Sequence, residues 1–372
     1  MKQSEYSISA VELGIVLIST ILGISLLIIP RHLIEQIGTP DGWLSIIISG
    51  AIMMLLIYIY SNIQKHFPGQ TLIQFFRNGS WGKWGSKLFS TFIMIYSVLI
   101  MAVVIRLFSE TIQFYLLDKT PLEVVVASML LITSYGVSKR VQGVVHLHLM
   151  FFPIITAVLL FVLVANITEV DYRHLLPILG EGVLPVLQGI PATTVPFIGG
   201  VPILFIFMAY MKQNELKPLV INGLSLMPIF LFTAIVTICY GVLGLEVNNY
   251  LTFPTMEIVK EIEIPGGFIE RLDPLFLTIW ILAIYGTLLS IHLIMILVLE
   301  DELKNKGNKF YTPLIIILVF LTAFAPSSIV EVEKLGGIVG ILSVILTVTG
   351  IFFGYITIKL RSRAQKKNKK IS

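Results

Sequence analysis

Runs of about twenty apolar residues without charge recur from one end of this chain to the other. A bilayer's hydrocarbon core takes about 20 such residues per helical crossing. One run could be an anchor; this many are the protein. With 56% hydrophobic and 13% charged residues and a mean hydropathy of +0.91, a soluble domain is excluded. Ten segments stand out, near 9–36, 41–63, 87–117, 121–138, 144–166, 186–211, 218–243, 270–299, 311–330 and 335–358. The start, MKQSEYSISAVELG, is polar and runs directly into the first span, so no cleavable leader is expected. The stretch at 68–89 is too polar to span, and its Phe75, Phe76, Trp81 and Trp84 suit a membrane surface.

Lys and Arg orient the spans. Nineteen of the 26 fall at the N-terminus, after even-numbered spans and in the tail; six fall on the other side, and Arg106 lies inside span three. This asymmetry predicts cytoplasmic termini and an even number of crossings. Membrane topology therefore accounts for the net charge of +4, and no nucleic-acid partner is expected. The basic tail from 359 to 372 reads as a cytoplasmic anchor, with a lipid-binding patch as the alternative. The single cysteine, Cys239, rules out a disulfide within the chain. The histidines show no metal-ligand spacing, so neither metal nor cofactor is expected.

Two spans carry their own weak points. Span six, PFIGGVPILFIFMAYM at 196–211, has Gly199, Gly200 and Pro202 near its middle. Proline removes a helix hydrogen bond, and glycine costs about 1 kcal/mol relative to alanine. Span one has Gly23 and Ser25, with Pro30 beyond. Spans one and six hold the same place in two halves of five. Five is odd, so the halves cross the membrane in opposite senses. This predicts an all-α, five-plus-five inverted-repeat transporter fold with broken helices 1 and 6. It forms a single membrane domain, with repeats near 9–166 and 186–358. Backbone groups freed at a break must line a protein-walled cavity, where N–H groups can hold a carboxylate. Close helix packing by small residues is the competing explanation.

Arg106 and Glu110 share one face of span three, as an ion pair near the membrane surface or as part of a gate or ligand site. The acidic connection at 246–273 contains TMEIVKEI, with Met256, Val259 and Ile262 at helical spacing.

ILGISLLIIP (21–30), GTPDGW (38–43), LLPILGEG (175–182) and GFIERLDPLFLTIW (267–280), in that order, resemble the endospore germination permease family. These are B subunits of nutrient germinant receptors, and the resemblance covers nearly the whole chain. It implies the amino acid–polyamine–organocation superfamily fold and residence in the spore inner membrane. It further implies an A subunit and a lipoprotein C subunit as partners, and an amino acid or sugar as nutrient. Ser290 and His292 become site candidates, because span eight lines the site in that fold. The resemblance also makes the 246–273 connection an outer lid, against a plain solvated helix. Arg106 and Glu110 match an arginine and a glutamate of the family.

Two departures stand out. Ser25 replaces a frequent second glycine, and IGGVPI lacks the glutamate many members carry after the span-six glycine. Without that acid to receive an ammonium group, a neutral or sugar-like nutrient gains ground. A secondary transporter of similar solutes is the alternative function. No nucleophile–base constellation or phosphate loop suggests an enzyme.

Overall fold

The structure, a computed structural model, describes residues 6–23, 25–79, 82–262 and 272–368, with side chains to 361. Trp81, Glu263, Glu270, Arg271 and the side chains of the tail beyond 361 lie outside the described residues. Helices account for nearly all of it. Seven are long and apolar enough to cross a membrane, and three shorter apolar helices accompany them.

Span one is two helices. A capping box starts α1 (Ala10–Leu22): Ser9 Oγ accepts from the Glu12 amide at 3.2 Å, and Glu12 accepts from the Ser9 amide at 2.7 Å. After the interruption, α2 (Ile29–Ile37) begins with Pro30 in its first turn and ends at left-handed Gly38. Then come α3 (Gly42–Gln64), the short α4 (Leu72–Arg77), α5 (Gly82–Tyr115), α6 (Leu122–Val137) and α7 (Arg140–Ala165). Span six comprises α8 (Leu184–Gln188), α9 (Ile190–Ile198), a 3-10 turn at Val201–Ile203 and α10 (Leu204–Phe207). The rest is α11 (Pro218–Tyr250), α12 (Pro254–Lys260), α13 (Asp273–Leu303), α14 (Tyr311–Ala323) and α15 (Ile329–Asn368).

Span seven ends as expected at Gly244, whose φ of 73° and ψ of 167° leave the helix, and a second helical segment follows it to Tyr250. Span ten starts earlier than expected, at Ile329. Span nine stops at Ala323, just short of Pro326. The surface role expected for Phe75 and Phe76 is corrected. Both are buried, with Phe75 stacked on Phe67 at 4.1 Å and Phe76 edge-on to Phe89 at 5.1 Å. A second capping box, Thr71 with Gln74, fixes α4 so that its apolar face turns inward. Trp84 stays exposed.

The span-six helices and α13 are the most enclosed. α1 packs on α11, α13 and α7; α9 packs on α15 and α3; α13 packs on α5, α6 and α7. The connections after even-numbered spans gather at one end, called here the basic end. There Arg77 pairs with Asp301 at 3.0 Å and Glu302 at 2.6 Å, and the Ile8 amide donates to the Tyr210 carbonyl at 2.9 Å. The opposite end, by contrast, opens into a cavity.

Candidate functional site

The interruption of span one places it against α13. A Cβ on Gly23 would lie 2.7 Å from the Ala283 carbonyl oxygen and overlap Thr287 Oγ1, so only glycine permits this approach. Ser25 then takes a left-handed conformation (φ 62°), which L residues with a Cβ rarely adopt. Its carbonyl accepts the amides of Ile28 at 3.1 Å and Ile29 at 3.0 Å, starting α2. Neighbouring hydroxyls meet other carbonyls of this segment. Thr287 donates to Thr20 at 2.9 Å, Thr255 to Leu26 at 2.9 Å and Tyr240 to Pro30 at 2.9 Å. Among the described residues, the amides of Ser25 and Leu26 find no acceptor.

Span six is a different object. Gly199 and Gly200 keep right-handed helical angles, and the chain tightens into a 3-10 turn instead of unwinding. The Gly199 amide reaches back five residues to Thr194 at 3.0 Å, and Tyr96 donates to the Gly199 carbonyl at 2.8 Å. The expected break in span six is thus a distortion around Pro196 and Pro202. A Cβ on Gly200 would meet Ile21 at 3.1 Å and Leu17 at 3.3 Å, so this glycine faces α1. Gly199, Gly200 and Pro202 are not in the cavity wall.

The cavity measures about 890 Å³. Gly23 and the 25–28 turn, α5, α9, Trp280 and Ile284 of α13, and Gly336, Gly337 and Ile341 of α15 enclose it. Its wall is mainly Ile, Leu and Val. Polar groups collect at the mouth, where Arg31 holds Glu35 at 2.7 Å and Glu333 at 3.5 Å, with His32 3.7 Å from Glu333. α12 buries Met256 and Val259 and supplies Thr255 to the break; Phe253, just before it, lines the cavity.

The remaining candidates lie elsewhere. Arg106 and Glu110 do pair, at 2.9 Å, with the guanidinium 4.8 Å from the Phe324 ring centre. Val103, Val104, Leu107 and Thr111 of the same helix line the cavity; the ion pair does not. Ser290 is fully buried between Thr20 (3.3 Å) and His148 Nε2 (2.8 Å), also outside the wall. His292 is buried, and neither ring nitrogen has a partner.

Sequence reasoning missed two residues. Trp280 lines the cavity, and its indole N–H has no partner among the described residues. Asp41 is buried and accepts the Leu179 amide at 2.9 Å, which ties GTPDGW to LLPILGEG. The signal for Asp41 was an acidic residue between proline and glycine, two residues before a long apolar run. Asp41→Ala should remove a charge-assisted bond worth about 1.5–3 kcal/mol. Faster proteolysis in the 175–183 loop is the expected readout, and an unchanged cleavage rate would refute the tie.

The helical arrangement and its cavity define a transporter fold. It is shared with the substrate-bound outward-open state of a Na+-coupled sialic acid symporter (TM-score 0.66, 13% identity, 93% of this chain and 78% of that one). MhsT in complex with L-phenylalanine is comparably close (TM-score 0.67, 14% identity, 91% and 87%). Within that fold the chain belongs to the spore germination protein family, whose profile matches residues 7–332. Relatives include spore germination protein YndE of Bacillus subtilis (29% identity, 75% of this chain and 77% of YndE). Protein B2 of the same organism matches over 96% and 97% of the two chains at 24% identity, and protein XB of Bacillus anthracis over 83% and 86% at 26%. This is a membrane protein of spore germination.

Proposed function

We propose that this protein is the B subunit of a spore nutrient germinant receptor, binding a small nutrient in the cavity at the span-one break and signalling to A and lipoprotein C subunits. The observation that carries the reading is the non-helical turn of span one, where Ser25 and Leu26, whose amides find no acceptor among the described residues, line a cavity of about 890 Å³. Exposed donors in a protein-walled pocket form a binding site for an acceptor group. In this reading the chain crosses the spore inner membrane ten times as five plus five, with both termini cytoplasmic and the cavity facing outward. It is a sensor and not an enzyme.

A secondary transporter is the second reading, favoured by the fold shared with a Na+-coupled symporter. A coupled transporter binds its ion, usually at a carboxylate or unwound carbonyls near the midplane. The carboxylates of this wall, Glu35 and Glu333, lie at its mouth with Arg31 and His32. The span-one carbonyls of Thr20, Leu26 and Pro30 already accept hydroxyls. A sensor needs only a ligand-dependent population shift. Deleting the gene should abolish or delay germination to one nutrient set while a non-nutrient trigger still works. The purified chain in liposomes should not concentrate that nutrient under a proton or sodium gradient. Gradient-driven accumulation together with normal germination of the deletion strain would establish the transporter instead.

A further inference from the structure

α5 and α15 pack along each other in opposite directions. A Cβ on Gly336 would lie 3.6 Å from Val103, one on Gly350 3.1 Å from Phe89, and one on Gly79, just before α5, 2.7 Å from the Thr357 methyl. Toward the basic end the two helices leave a second, separate hollow of about 450 Å³. Phe76, Leu88, Phe89, Phe92, Ile95 and Phe353 wall it. Leu88 is 75% exposed and Ile95 51%, so this groove opens sideways, away from the bundle. Along α5 its wall runs from Gly85 to Ile95, a rise of about 15 Å. That is the depth of one leaflet's hydrocarbon, half of a core about 30 Å thick. Trp84, one turn before Leu88 and fully outside the bundle, stands where tryptophan meets a membrane surface. Charge at the groove's basic-end opening has one sign. Lys83 and Lys87 share an exposed face of α5, and exposed Lys359 follows Thr357 on α15 by two residues. The sequence has no Asp or Glu from 42 to 109 and none after Glu333. Asp301 and Glu302, which reach this end from α13, hold Arg77.

We propose that this groove is a site for an anionic phospholipid of the leaflet at the basic end, with one acyl chain between α5 and α15 and the phosphate held by Lys83, Lys87 and Lys359. The aromatic wall takes the chain, which supplies affinity for any phospholipid. The lysines choose the head group: their stems lie along apolar surface while their ammonium groups stay at head-group level. An apolar helix from another chain would fill the groove but leave those charges uncompensated. A zwitterionic lipid offers the same phosphate with a cation beside it, and so gains little from them. The inference holds whether the chain senses or transports its nutrient. Both helices continue to the large cavity, α5 through Val103 and Leu107 and α15 through Gly336 and Ile341. The lipid therefore bridges, at the basic end, two helices that wall that cavity at the other.

The test uses the purified full-length chain in mild detergent, with bound lipid read by native mass spectrometry. The probes are palmitoyl-oleoyl phosphatidylglycerol, phosphatidylcholine with the same chains, and glycerol phosphate, which has the charge without the chains. Each lysine beside an anionic head group is worth roughly fivefold in binding. Phosphatidylglycerol should therefore bind at least about tenfold more tightly than phosphatidylcholine, with no detectable binding of glycerol phosphate. Changing Lys83, Lys87 and Lys359 together to Gln should bring the two lipids within about threefold of each other. Thr91 is exposed in the groove wall, and Thr91→Trp should fill the groove and weaken both lipids at least about tenfold. Equal binding of the two lipids by the unaltered chain overturns the proposal. So does a preference that survives the triple change, which would belong to the basic tail, or undiminished binding by Thr91→Trp. Binding of glycerol phosphate as tight as that of the lipid overturns it in favour of a free phosphate site. A dimer that Thr91→Trp breaks, with no lipid bound, overturns it in favour of a second copy. If Thr91→Trp does not fold, the triple variant decides, since all three of its changes are at exposed positions.

Discussion

Phenylalanine in place of Gly336 should abolish the response of spores to the nutrient set lost on deletion, with the protein itself at its normal level. Gly336 is buried in α15 and lines the cavity. A Cβ built there would touch only Val103 Cγ1, at an ordinary 3.6 Å, so the space beyond is the cavity's own. Removing a glycine from a helix interior favours the helix by up to about 1 kcal/mol, which offsets the cost of rearranging the wall. A phenyl ring would then occupy the ligand's volume against Ile, Leu and Val side chains without exposing a polar group. This separates occupancy from stability, which Gly23→Leu cannot do, because that side chain would drive into Ala283 and Thr287. Gly336→Ala is the control, since a methyl leaves most of the volume free. The expected result is no germination at nutrient concentrations about a hundredfold above the normal half-maximal dose for Phe, and a near-normal curve for Ala. A normal curve for the Phe variant, at normal protein level, would remove the cavity from the mechanism.

The apolar runs made the spans legible because lipid enforces length and composition on any segment that crosses it. Their ends were less legible. Gly244 takes the chain out of the helix with a φ of 73°, and a second helical segment follows it to Tyr250, which a glycine at the end of an apolar run does not announce. The buried faces of α4 were hidden for another reason. A short polar stretch carrying four aromatic residues reads the same whether the rings enter lipid or the protein, and only Phe67, Phe89 and Arg361 waiting above α4 decide it.

Spans one and six looked alike in sequence, each with glycine near the centre and proline nearby. They differ because of what their neighbours offer. At the span-one break, hydroxyls from α11, α13 and Thr255 meet span carbonyls. In span six, Tyr96 serves Gly199 and a 3-10 turn absorbs the missing proline amides. Such partners come from residues scores of positions away and leave no mark within the span. For the same reason Trp280 was invisible: an aromatic residue in an apolar helix gives no sign that its N–H lacks a partner.

Glu300→Ala should destabilise the protein by about 1.5–3 kcal/mol, the usual range for hydrogen bonds to a charged group. The Glu300 side chain is 5% exposed at the basic end of α13. It accepts both terminal nitrogens of Arg140, at 2.6 and 2.8 Å, and also the Gly307 amide at 2.6 Å. One carboxylate therefore joins the start of α7, the end of α13 and the turn leading to α14. Asp301, beside it, takes Gln74 at 2.9 Å. With the Ile8–Tyr210 bond, these contacts close the end of the bundle opposite the cavity mouth. Alanine leaves the Gly307 amide without its acceptor, while the guanidinium, 41% exposed, turns to water; the loss still exceeds that of a surface pair, which is worth about 0–1 kcal/mol. If the closed basic end is one of two states, losing about 2 kcal/mol from it shifts their ratio about thirtyfold toward opening. A cysteine at Met208, fully buried near that closure, reports the shift in a Cys239→Ser background. Maleimide should label it slowly in the parent and rapidly with Glu300→Ala. Arg140→Ala should add little to Glu300→Ala, since the shared bond is already gone. An unchanged unfolding midpoint with unchanged labelling would show that this end is held shut by apolar packing alone.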